Sequence, residues 1–256
     1  MRVFSFGGGV QSTAVLVLAA QGNVRYDHWV FSNVGEDSEN PDTLTYIRDV
    51  ARPFAERYGI TIEEVRRPET LLSWTLRREK SIALPMYLTG GGPGNRECTR
   101  HFKIRLIATW LRQRGASRDN PAVLGLGIST DEFQRARSDS GFPSQTLEYP
   151  LLDRRISRAD CLRLIADAGL PQPPKSACWF CPFHRVSDWR RMKHDNQDLF
   201  EQAVTLEKTL GDRRETMGRD RVYLTDRGRS LDLVVAGDQP TLDDALETCE
   251  SGYCFT

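Results

Sequence analysis

The alternation of apolar and polar positions divides the chain into short strands, each followed by a helix. Val3-Phe4-Ser5-Phe6 reads as a buried strand that runs through Gly7-Gly8-Gly9-Val10-Gln11-Ser12 into a segment, 13–20, that is apolar on every side. An all-round apolar helix belongs inside a core. Residues 27–33 predict a second strand that ends in a polar loop at 35–41. A helix over about 42–58 follows, with Gly59 as its stop, and then a third strand over 60–65. Residues 122–128 read as a fourth strand. Ser157 with Asp160 three positions later marks another helix start, a weaker form of the capping box. Strands alternating with helices imply an α/β fold, a doubly wound parallel sheet whose ligands sit beyond the strand C-termini. The expected division is a nucleotide-binding domain over 1–170 and a cysteine-bearing C-terminal extension over 171–256 on the same core.

Between the third and fourth strands the pattern is less regular. Thr89-Gly90-Gly91-Gly92-Pro93-Gly94 is glycine-rich and suits either a lid or a plain surface loop. The helix after Cys98 has an apolar stripe of Phe102, Leu106, Ile107, Trp110 and Leu111. Its other face carries Arg100, Lys103, Arg105, Arg112 and Arg114, which is either a solvated face or an anion site.

Composition changes this picture little. The chain has 256 residues with 35 basic and 35 acidic side chains, so no global field favours nucleic acid. No apolar run approaches a membrane span and the chain opens on a strand, which leads us to expect a soluble cytoplasmic protein. No heptad or exposed apolar stripe fixes an oligomeric state, and a homo-oligomer stays open.

The chemistry starts at the glycine loop. Three consecutive glycines permit a tight turn with positive φ and let successive N–H groups face one anion, while Ser5 and Ser12 can add hydroxyl donors. The N-terminal end of the following helix favours the same anion. The loop lacks the Gly-Lys-Ser/Thr ending of a P-loop. It resembles the pyrophosphate loop of the adenine nucleotide alpha-hydrolase superfamily, Ser-Gly-Gly-x-Asp-Ser, here Ser5-x-Gly7-Gly8-Gly9-x-Gln11-Ser12. The phosphoadenosine phosphosulfate (PAPS) reductase-like branch is the most similar. Gln11 stands where many members carry Asp, so a metal-binding role does not carry over to that position. The resemblance implies ATP or a sulfonucleotide as ligand. It places Asn33 and Gly127 near the nucleoside and gives nucleotide contacts to Asp131, Glu132 and Arg135. Carboxylates and arginines at a strand end also suit a Mg2+-nucleotide site, although Asp131 and Glu132 would equally cap the next helix.

Six cysteines carry the second signal. Cys161 shares a helical stripe with Leu164, Ile165 and Ala168 and reads as core. Cys178-Trp179-Phe180-Cys181 is a Cys-x-x-Cys turn, a metal or redox signal. Cys98, Cys249 and Cys254 remain. In iron-sulfur members of the resembled family a cysteine ahead of a Lys-containing helix joins a later Cys-x-x-Cys to hold a 4Fe-4S cluster, and Cys98, Cys178 and Cys181 match those positions. The resemblance leaves the fourth ligand open between Cys254, Cys249 and a bound sulfide. Zinc or a dithiol is the other reading of the turn.

Three functions fit these residues. In the first, an ATP-dependent enzyme adenylates an acceptor, Lys103 and Arg135 neutralise developing charge, and sulfur displaces AMP. In the second, a sulfonucleotide reductase uses Cys254 or Cys249 as nucleophile with a thiol reductant. The third is a non-catalytic nucleotide-binding subunit of a modification or defence complex. The sulfur acceptor, a small molecule or a nucleic acid, is not legible.

Overall fold

Five parallel strands form the main sheet in the order β3-β2-β1-β5-β6. They are β1 (Arg2–Phe6), β2 (His28–Asn33), β3 (Ile62–Arg66), β5 (Ala122–Leu126) and β6 (Gln145–Glu148); β4 (Tyr87–Leu88) pairs elsewhere, antiparallel to β7 (Val222–Tyr223). The computed structural model describes residues 1–78, 81–89 and 92–237. The expected α/β class with a parallel, doubly wound sheet is what forms. Parallel pairing requires crossovers, and helices on the sheet faces supply the burial that such strands need.

The chain moves outward from β1 through β2 to β3 and then returns to place β5 on the other side of β1. The order therefore reverses between β1 and β5, where a parallel sheet opens a crevice at its C-terminal edge. Phe4 stands opposite Trp29 on one side and Gly125 on the other. The missing side chain at Gly125 is filled by Tyr26, whose ring would lie within 2.6 Å of any Cβ there and which packs against Phe4 and Trp29 at 5.2 and 5.7 Å. Each buried aromatic of this kind contributes about 1.5–3 kcal/mol by leaving water.

The helix α1 (Val10–Ala20) is buried over Val10 and Ser12 to Leu18, as its apolar sequence demands. It packs against the helix Arg158–Asp167. That second helix starts on the expected capping box: the Ser157 hydroxyl accepts from the Asp160 N–H at 3.1 Å, and the Asp160 carboxylate accepts from the Ser157 N–H at 2.9 Å. Cys161 lies in the core with no exposure, and burial pushes its thiol up to about 12.

The helix expected over 42–58 runs from Pro41 to Arg57 but is not uniform. Pro41–Tyr46 and Arg52–Arg57 are separated by a widened turn, Ile47–Ala51. Pro53 lacks the N–H that a regular α-helix would bond to the carbonyl of Asp49, and a local change of pitch accommodates it. Gly59 ends the helix at φ +69°, with the Ile60 N–H bonded to the Ala55 carbonyl. The strand β6 was not expected; its Gln-Thr-Leu-Glu sequence has one large apolar residue and no alternating run to mark it.

The chain falls into two compact units, and the division is not a single cut near residue 170. The first comprises Met1–Pro68 and Thr99–Ala177, with the main sheet; the second comprises Glu69–Cys98 and the described residues from Cys178 onward. The second unit is helical, built from Leu71–Arg77, Val186–Asp195, Gln197–Thr216 and Leu231–Gly237 beside the β4–β7 pair. Trp74, Trp179, Phe180, Trp189 and Phe200 fill its interior. Glu207 is buried there, its carboxylate accepting the N–H groups of Leu224 at 2.6 Å and Leu231 at 2.8 Å, and burial pushes its pKa up. Of the glycine-rich stretch expected as lid or loop, Gly90 and Gly91 lie outside the described residues, while Gly94 is tied to the Met86 carbonyl at 2.9 Å. No described helix is long and apolar enough to cross a membrane.

Candidate functional site

The loop between β1 and α1 occupies the point where the strand order reverses. Gly8 adopts φ +75°, and a Cβ there would sit 2.7 Å from Ile47 Cδ1 and 3.1 Å from Thr43 Cγ2. Both the backbone angle and the close packing restrict this position to glycine. Gly9 is the N-cap of α1 and offers no side-chain acceptor, and the first turn carries no acidic residue. The first N–H groups of a helix have no partner within it, so the start of α1 keeps donors and a positive dipole end for an anion. Gly127, just past β5, is part of the same arrangement: a Cβ there would lie 3.2 Å from the Ser12 N and cover it. The structure thus brings together Gly7, Gly8, Gly9, Gln11, Ser12 and Gly127, with Ser5 buried at the end of β1.

Other expected residues are placed differently. The Ser12 hydroxyl donates to the Gly9 carbonyl at 3.0 Å, so in this structure it shapes the loop. Asn33 is buried and turned into its own loop: its carbonyl accepts from Gly35 N at 2.8 Å, and its amide donates to Glu36 and Glu64 at 2.9 and 3.1 Å. Asp131 accepts the N–H of Arg158 at the start of the helix Arg158–Asp167, 27 residues on, whereas the expectation was a cap on the next helix along the chain. Glu132 and Arg135 form a nearly buried ion pair at 2.5 Å, a partnership that the sequence left open. Lys103 is half-buried in the turn Arg100–Ile104. On the basic helix Arg100, Arg105, Arg112 and Arg114 are exposed; Arg114 is stacked 3.8 Å over Trp110 and paired with Glu63 at 3.1 Å, and Arg112 donates to the Thr109 hydroxyl at 3.2 Å.

Two groups at the glycine loop were not foreseen. Arg158 donates to the Gln11 carbonyl oxygen at 3.5 Å, which brings a guanidinium to this neutral amide. Ser176 lies against the loop itself: its hydroxyl donates to the Gly7 carbonyl, and a Cβ on Gly9 would meet its Cβ at 3.1 Å. Ahead of Ser176 the sequence shows only Pro171-Gln172-Pro173-Pro174, an extended run that cannot form a regular helix.

The cysteine turn lies in the second unit. The Cys181 N–H bonds to the Cys178 carbonyl at 3.1 Å, and the His184 N–H bonds to the Cys181 carbonyl. The buried His184 ring also donates from Nε2 to the Cys178 carbonyl at 2.9 Å; the acceptor is a carbonyl, which fixes the proton on that nitrogen. Cys98 belongs to the same unit, its N–H bonded to the Ala83 carbonyl. All three thiols are half-buried and chemically suit a soft metal. Among the described residues no group of three or more His, Cys, Asp or Glu side chains forms a metal-holding set, and Cys98, Cys178 and Cys181 as cluster ligands belong to the proposal below. Cys249 and Cys254, expected as nucleophile or fourth ligand, lie outside the described residues.

No protein-family model matches the chain, and no curated protein matches it. Among solved structures the chain is similar to the U34-tRNA thiolase NcsA from Methanococcus maripaludis with its 4Fe-4S cluster. The identity is 16%, the match covers 81% of this chain and 70% of that chain, and the TM-score is 0.44.

Proposed function

We propose that this protein binds an adenine nucleotide through the Gly7–Gly9 loop and uses it to adenylate an acceptor that then receives sulfur. The observation that carries the reading is Gly8: its φ of +75° and its wedged contact with Ile47 and Thr43 hold a glycine loop at the start of α1, where the strand order reverses. Backbone donors aimed at an anion support a pyrophosphate group there. In the proposed reaction an acceptor oxygen attacks the α-phosphorus, pyrophosphate leaves, and a sulfur nucleophile then displaces AMP. The loop's part is to bind and neutralise the pyrophosphate, with Arg158 near Gln11 as the nearby cation. The thiol pair Cys178 and Cys181 supports the sulfur half of the reading. A 4Fe-4S or zinc centre on these thiols, with Mg2+ on the nucleotide, belongs to the proposal, and no step is routed through it.

The test is to incubate anaerobically purified protein with ATP, Mg2+ and a sulfide source and to measure AMP and pyrophosphate, with iron, sulfide and zinc assayed in the parent and in Cys178→Ala. The expected result is ATP binding that Gly8→Ala abolishes and AMP release that requires an acceptor. Sulfite release from a sulfonucleotide with a thiol reductant, without ATP cleavage, would replace this reading with the reductase. Binding without turnover across acceptors would leave a nucleotide-binding subunit.

A further inference from the structure

The segment that begins with the proline run, 171–177, is tied along the helix Pro41–Tyr46 by a ladder of hydrogen bonds. The Tyr46 hydroxyl donates to the Pro171 carbonyl at 3.0 Å, the Thr43 hydroxyl donates to the Lys175 carbonyl at 3.4 Å, and the Asn40 N–H donates to the Ala177 carbonyl at 3.1 Å. Positions 46, 43 and 40 step back along the helix by three while the strap advances, so the two run antiparallel. Burial pushes the Tyr46 phenol up to about 12. Thr43 serves twice, since its methyl group also backs Gly8. The strap is thereby fixed against the same helix that shapes the glycine loop, and its Ser176 hydroxyl meets the Gly7 carbonyl.

A carbonyl inside an anion cradle is a hazard. If it rotates toward the phosphate it repels the charge, and the neighbouring N–H turns away with it, because each peptide unit is planar. In this loop two carbonyls are held by hydroxyls: Gly9 by Ser12 from within α1, and Gly7 by Ser176 from a segment more than 160 residues away in the chain. We propose that Ser176 is a positioning residue of the pyrophosphate loop, holding the Gly7–Gly8 peptide so that the Gly8 N–H faces the anion. This inference rests on the nucleotide reading given above and adds to it a residue outside the loop motif. Ser176 is not assigned a contact with the ligand.

The experiment uses the full chain, with inorganic pyrophosphate and ATP as probes in calorimetric titrations. Ser176→Ala, Ser176→Val and Ser176→Thr are compared, with thermal midpoints measured in parallel. Val and Thr have the same shape and differ in the hydroxyl alone. Loss of one hydrogen bond predicts that Ser176→Ala and Ser176→Val weaken pyrophosphate binding by roughly fivefold to tenfold, while Ser176→Thr restores it. A purely structural role would lower the midpoints without separating Thr from Val in affinity, and that result would overturn the inference. Parent-like affinity in Ser176→Ala would overturn it as well, leaving the nucleotide reading intact. Absence of pyrophosphate and ATP binding in the parent would overturn both.

Discussion

The glycine loop and the cysteine turn solve opposite problems. At the loop, side chains are excluded: Gly8 is wedged against Ile47, Gly127 leaves Ser12 N uncovered, and the groups proposed to bind are backbone N–H donors at a helix start. At the turn the groups proposed to act are side chains, and the backbone holds them, with the Cys178 carbonyl taking hydrogen bonds from both Cys181 N and the His184 ring. A backbone site therefore depends on what is absent and on the elements packed behind it. A thiol site depends on two residues and a local fold. Mutations should accordingly break the first through space and conformation, and the second through chemistry.

The largest effect is expected at the loop. Gly8→Ala puts a Cβ at positive φ and into Ile47, which should cost about 2–4 kcal/mol in urea denaturation and abolish nucleotide binding. Adding Ile47→Val removes the Cδ1 atom that the new Cβ meets and should recover part of the stability but not the φ-dependent remainder. If the double variant were no more stable than Gly8→Ala, packing behind the loop would not be what confines the position.

In the second unit the comparable weak point is a buried acceptor and not a buried space. Glu207→Ala strands the N–H groups of Leu224 and Leu231 and should cost about 2–3 kcal/mol, also read by urea denaturation. The pH dependence has a definite sign. Burial raises the folded-state pKa of Glu207 above its unfolded value, so its stabilising contribution is full below the usual glutamate range and is lost as pH rises through the raised value. Glu207→Ala should remove that part of the pH slope.

A smaller effect is expected at the helix that backs α1. Ser157→Ala removes the N-cap acceptor and should lower stability by about 1 kcal/mol in the same denaturation assay. The smallest is the acid limb. The Ser157 hydroxyl, its backbone N–H and Arg163 hold Asp160 down to about 2, so the cap is intact above the usual aspartate range and weakens as pH falls toward 2. Helicity followed between pH 5 and pH 2 should fall less in Asp160→Asn than in the parent, because the variant has no carboxylate to protonate.

Much of the first unit was legible because its code is local. Strand patterns, an apolar helix, Gly59 as a stop and Ser157 with Asp160 as a cap each depend on residues a few positions apart, and each forms as expected. The widened turn Ile47–Ala51 was not visible, although Pro53 marks where the helix must adjust. At the site, glycines were readable as conformational requirements. Charged and polar residues were less so, because several partners suit each of them and only the fold selects one: Asp131 accepts at a helix start 27 residues on, Glu132 takes up Arg135 three positions away, and Asn33 bonds Gly35 and Glu36 in its own loop as well as Glu64 on β3. Ser176 was unreadable for the same reason. Nothing in its local sequence points to Gly7, and the contact exists only once the strap is laid along Pro41–Tyr46.

Cys161 gives the chain an internal clock. Its thiol is fully enclosed among Leu164, Ile165 and the face of α1, with a pKa of about 12, so an alkylating reagent at neutral pH reaches it only when that core opens. Cys98, Cys178 and Cys181 are half-buried and should be modified sooner. The slow phase of a thiol-labelling time course then reports opening of the Cys161 core, without a tag or a probe being added.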